Sequence, residues 1–148
     1  MSWQPYGLDE CAQAVVLEAI KRDPSCKSLR QVFKMRTTCA YGLERFWGEY
    51  LRLSNGSQSE VMQSIIILDT WKTLKDQILH GTGIELPYDP NLSLANKNDV
   101  RQSLEKLWEL RAQNPRQIQV VLAILVSFCE AIIWWKNRLA PGSLAEDD

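Results

Sequence analysis

The chain has 148 residues, enough for one domain with a sizeable buried core. Lys and Arg number 17 against 18 Asp and Glu, so the net charge of -1 exerts no global pull on nucleic acid or acidic lipid, and any basic surface is local. Cys11, Cys26, Cys39 and Cys129 stand far apart with no C-x-x-C pair, which leaves no zinc-ligand cluster and points to free, partly buried thiols of an intracellular protein.

The opening residues, MSWQPYGLDE, show neither a charged n-region nor an apolar h-region, so no secretory signal is expected and residues 1–8 read as a flexible N-terminus. Trp3 and Tyr6 lie in it as a candidate docking segment. Asp9 is placed to cap a first helix that runs to about Arg22, with Ala12, Val15, Val16, Ala19 and Ile20 on one side and Pro24 as its stop. A second, longer helix is expected from about Ser28 to Leu53. Leu29, Val32, Phe33, Ala40, Leu43, Trp47 and Tyr50 share its apolar face at 100° per residue, and Arg36 falls in the middle of them. On its opposite side Lys27, Arg30, Lys34, Tyr41, Arg45 and Arg52 form a narrow basic stripe. Such a row either tracks a phosphate backbone, with the tyrosine as a stacking surface, or is a solvated helix face.

SNGSQS, residues 54–59, is a turn, and Ser57 with Glu60 spells a capping box for a third helix that reaches His80. Glycines 81 and 83 stop it. Residues 84–97, with Pro87 and Pro90, read as an irregular connector. Asn96 or Asn98 opens a fourth helix through Ala112, carrying Val100, Leu104, Leu107, Trp108 and Arg111, and Asn114 followed by Pro115 starts a fifth. Pro141 and Gly142 close the fifth helix, leaving 141–148 as a flexible acidic tail. Trp47, Trp71 and Trp108 fall on apolar faces and are expected in the core, whereas Trp134 and Trp135, near a helix end, are candidates for a protein interface.

The fifth helix, IQVVLAILVSFCEAIIWWKNR at 118–138, is long and apolar enough for a bilayer, and its tryptophans and cations resemble an interfacial anchor. Gln119, Ser127 and Glu130 interrupt it, and an acid near the centre of a span costs about 2.5–3.5 kcal/mol. The other helices each have one apolar face that needs a partner in water. The expectation is therefore an all-α, single-domain bundle of about five helices spanning 1–148, with the apolar C-terminal helix at its centre and the membrane as the least favoured partner. Glu130 in such a core needs a counter-charge. Arg36 supplies it in a buried pair, unless both side chains reach the rim; if buried, replacing Glu130 by Gln markedly lowers the melting temperature.

No enzyme chemistry stands out. His80 is the sole histidine and sits beside a helix-ending glycine. HGTG at 80–83 follows a helix rather than a strand, and no serine has a nucleophile context. No cofactor or metal is expected. Gly42 with Leu43 in an early helical segment, Trp108 among charged neighbours, and the final EAIIWWKNRLA at 130–140 resemble, in the same order, the small helical subunit of type III CRISPR effector complexes. The resemblance implies a non-catalytic subunit lying along guide and target RNA, stacked on copies of itself and on backbone subunits, with the basic stripe facing phosphate. The leading expectation is a cytoplasmic, non-enzymatic interaction subunit with protein partners, and single-stranded RNA is the second partner class.

Overall fold

The computed structural model describes residues 7–80, 82–84, 86 and 97–140. The docking candidates Trp3 and Tyr6, most of the connector 84–97, and the tail 141–148 lie outside them. Helix α1 (Leu8–Arg22) is entered through Gly7 in the left-handed conformation, so Asp9 is not its cap but sits in the first turn. Its apolar side is the expected one, with Ala12, Val15, Val16 and Ala19 buried. After Arg22 the chain turns on Asp23. This carboxylate accepts hydrogen bonds from the Ser25 hydroxyl at 2.6 Å and the Ser28 amide at 3.0 Å, and those bonds hold its pKa below the ordinary value.

The long second helix of the sequence reading is two helices. A 3-10 turn (Lys27–Arg30) leads into α2 (Gln31–Thr38), a second 3-10 turn (Cys39–Tyr41) follows, and α3 (Leu43–Ser54) begins only after Gly42. Gly42 has φ 98° and ψ 172°, a backbone state essentially confined to glycine, so the chain bends there into an elbow that the 3.6-residue periodicity passes over. The bend redistributes the apolar face. Leu29, Val32, Leu43 and Trp47 are buried, Phe33 and Tyr50 half-buried, and Ala40, on the elbow itself, exposed.

Helix α4 (Gln58–Thr73) starts with the expected capping box. The Glu60 amide donates to Ser57 Oγ at 3.3 Å and the Ser57 amide donates to Glu60 Oε1 at 3.0 Å. Replacing Ser57 by Ala leaves the Glu60 amide without that acceptor and is expected to lower stability by about 1 kcal/mol, read as a shift of the urea midpoint. The helix continues through a π-helical turn (Leu74–Ile78) and stops just short of the exposed His80. Helix α5 (Lys97–Gln113) and helix α6 (Pro115–Leu139) are joined at Asn114, with Pro115 in the first turn of α6 as its missing amide allows.

The packing follows from these faces. Helix α6 lies against α1, α2 and α5, while α3 and α4 form a hairpin whose inner side meets α2. Trp135 Nε1 donates to Asp9 Oδ1 at 3.3 Å, so the end of α6 meets the start of α1 and the two helices run antiparallel. Trp71 of α4 is fully buried, with its ring 6.1 Å from Phe46 and 5.4 Å from Trp47 of α3. One apolar cluster draws residues from every helix, and among the described residues there are six α-helices and no strand: an all-α single domain.

Candidate partner-binding face

Helix α6 is covered along one side only. Ile118, Val121, Leu125, Phe128 and Ile132 are buried, whereas Val120 and Trp134 are each 47% exposed, Ala123 and Ser127 also face out, and Leu122, Val126 and Ile133 are half-covered at the margin. By length and composition this is the one described helix able to cross a membrane, and 39% of its most apolar 18-residue window is buried. It is thus a wall of the bundle, with an outer side on which Val120, Ala123 and Trp134 are interleaved with Gln119, Ser127 and Glu130, rather than a helix wrapped on all sides.

That geometry places Glu130 on the outer side, which corrects the expectation of a buried pair. Arg36 Nε does donate to Glu130 Oε1 at 3.1 Å, but the two side chains are 37% and 58% exposed. Water solvates both ions, so neither needs the other to avoid an uncompensated buried charge. Glu130→Gln is accordingly expected to lower stability by no more than about 1 kcal/mol, and thermal unfolding at low and moderate salt checks it.

At the C-terminal end of α6 the two tryptophans take different roles. Trp135 is half-buried and tied to Asp9. Trp134 stands out from the surface, edge-on to Trp135 with ring centroids 4.9 Å apart. The Arg138 guanidinium lies 3.6 Å from the Trp134 ring centroid, and its Nη1 donates to the Trp134 carbonyl at 3.1 Å. The cation stacks on one ring face, and Trp134 stays about half exposed beside it. Asp9, Glu130, Ala131, Trp134 and Trp135 line an open groove at this corner, which thus joins two aromatic rings to two carboxylates.

The basic stripe does not survive as one row. Lys27 is in a 3-10 turn, Lys34 is on α2 and Tyr41 is in the elbow, all exposed, with Arg30 half-buried; Arg45 and Arg52 lie beyond Gly42 on another helix. Arg52 is engaged by two acids, Nη2 to Glu49 Oε1 at 2.6 Å and Nη1 to Glu60 Oε2 at 3.5 Å, which raise its pKa. A spacing that matched a helical phosphate track on a straight rod is broken by the elbow. Trp108 also departs from its expected core position. It is 46% exposed on α5, where Leu107 turns inward and an open groove runs past Val100, Leu104 and Trp108. Arg111, one turn further, donates from Nη1 to Glu44 Oε2 at 3.1 Å and joins α5 to α3.

Two features went unread in the sequence. Lys136 is fully buried, with Nζ 4.9 Å from the centre of the Phe33 ring. Its phase gives it away, since it follows Ile132 by four and Cys129 by seven and therefore shares their face. The second is a meeting of thiols. Cys39 and Cys129 are both fully buried, with sulfurs 3.8 Å apart, while Cys11 and Cys26 are half-buried elsewhere. No three His, Cys, Asp or Glu side chains assemble as a metal site among the described residues. The sequence matches no family model, no curated protein and no solved structure.

Proposed function

We propose that this protein is a non-enzymatic, cytoplasmic assembly subunit that works through protein–protein contacts made by the outer side of α6. One observation carries the reading: the most apolar helix of the chain leaves Val120, Ala123 and Trp134 facing out, with Leu122, Val126 and Ile133 at the margin. Apolar surface concentrated on one helix gains about 25 cal/mol per Å² when a partner covers it, and an exposed tryptophan braced by Arg138 is the kind of anchor that dominates interface energy.

A photo-crosslinking amino acid placed at Ala123, and separately at Gln102 on the polar side of α5, tests this in the cells that make the protein. Protein adducts trapped at position 123 and not at 102 are the expected result. Flotation of the purified chain with lipid vesicles, without protein adducts, would instead make α6 a membrane anchor. Salt-sensitive binding of single-stranded RNA, lost on reversing Lys27 and Lys34, would favour an RNA-backbone subunit of the type III CRISPR kind.

A further inference from the structure

Cys39 and Cys129 lie 90 positions apart in sequence, yet their sulfurs are 3.8 Å apart in the interior. Cys39 belongs to the 3-10 turn that ends at the Gly42 elbow, and its Sγ donates to the Met35 carbonyl at 3.2 Å. Cys129 is on the inner side of α6. The Arg36–Glu130 ion pair joins α2, the helix that runs directly into this turn, to α6 one residue from Cys129. A disulfide requires sulfurs about 2.05 Å apart, so this pair is short of bonding distance by less than about 2 Å. Cys39 is the movable member, since a short turn next to a glycine adjusts more readily than the middle of a 25-residue helix.

We propose that Cys39 and Cys129 are a reversible oxidation site, closed to a disulfide by a hydroperoxide, that tethers the α2–α3 elbow to α6.

The two thiols are not equivalent. The hydrogen bond from Cys129 and the nearby Arg36 guanidinium hold the Cys39 thiol below its ordinary pKa, whereas the same contact and deep burial push Cys129 well above its own. Cys39 is therefore the attacking sulfur. As thiolate it takes one oxygen from hydrogen peroxide, becoming a sulfenic acid as the O–O bond breaks and water leaves after protonation of the departing hydroxide. Cys129 sulfur then attacks the Cys39 sulfur and loses its proton; the S–S bond forms, and the sulfenic oxygen leaves as a second water. Two thiols and one peroxide give one disulfide and two waters. Cys39 is itself fully buried, but Ala40 and Tyr41, which directly follow it, are exposed, so a local opening of this short turn is what admits the peroxide. Among the described residues the other two thiols bond to oxygen: Cys11 donates to Gln77 Oε1 at 3.7 Å and Cys26 to the Pro24 carbonyl at 3.6 Å. Oxidation at those two sites has no neighbouring thiol to close upon.

The test uses the full chain carrying Cys11→Ser and Cys26→Ser, treated while folded with hydrogen peroxide, then denatured and alkylated. The expected product is lighter by two hydrogens, takes up no alkylating reagent until reduced, and yields a peptide joining positions 39 and 129 on digestion. It also melts about 5–10 °C above the reduced form, because the link closes a long loop in the unfolded chain. Adding Cys129→Ser abolishes both the mass change and the melting shift. Two alkylatable thiols after treatment, products gaining two oxygens per sulfur, or a crosslinked form that melts no higher than the reduced one would each overturn the proposal. If the Cys129 variant fails to fold, the peptide map and melting comparison on the two-thiol chain decide it alone.

Discussion

Replacing Trp71 by Ala lowers the free energy of unfolding by about 3–5 kcal/mol, the range for removing a large aromatic side chain from a close-packed interior. Trp71 is fully buried on α4, and its ring meets Phe46 and Trp47 from α3, so the hairpin is held by an aromatic cluster rather than by scattered aliphatic contacts. The hole left by alanine borders two rings that cannot both swing in, because Trp47 is also packed on Tyr50 with centroids 4.8 Å apart. Urea denaturation followed by far-ultraviolet dichroism gives the loss directly. Trp108→Ala is the internal contrast: that ring is 46% exposed, and its removal should cost less than about 1 kcal/mol. Equal losses at the two positions would refute the packing described.

Gly42→Ala is expected to cost about 1–3 kcal/mol, and the reason is backbone rather than packing. At φ 98° an added Cβ is strained in any surroundings, and here it would also come within 3.3 Å of Glu44 Oε2. That carboxylate accepts from Arg111, so displacing it loosens the link between α3 and α5. Gly48, inside α3, supplies a control of opposite sign. A Cβ built there meets nothing within 4 Å, and alanine at that helical position should stabilise by about 0.5–1 kcal/mol. A protein in which both changes act in the same direction does not have the elbow.

Which elements the sequence revealed depended on whether their signals were local. The capping box at Ser57 and Glu60, the proline start of α6 and the buried side of α1 are all written within a few neighbouring residues, and each appears as expected. The elbow is not legible in the sequence because CAYGLE keeps an uninterrupted helical phase on either side of Gly42, and a single glycine is tolerated inside many helices. Losing the elbow also misplaced the basic stripe, whose coherence assumed a straight rod. The position of Glu130 is a different lesson. Hydropathy averages all round a helix, so α6 read as an interior element, yet Ser127, Glu130 and Gln119 share one exposed side and mark where the cover stops. The approach of Cys39 to Cys129 is a tertiary fact that no spacing along the chain encodes.

The antiparallel pairing of α1 with α6 couples the two ends of the described chain, and this sets an order of events during synthesis. The α3–α4 hairpin closes over a link of three residues, 55–57, and can form as soon as both helices have left the ribosome. Helix α1 emerges first but meets α6, its most extensive partner, last. Helix α4 can cover part of the apolar side of α1 earlier, but the larger cover that α6 gives arrives only after about a hundred further residues have been polymerised.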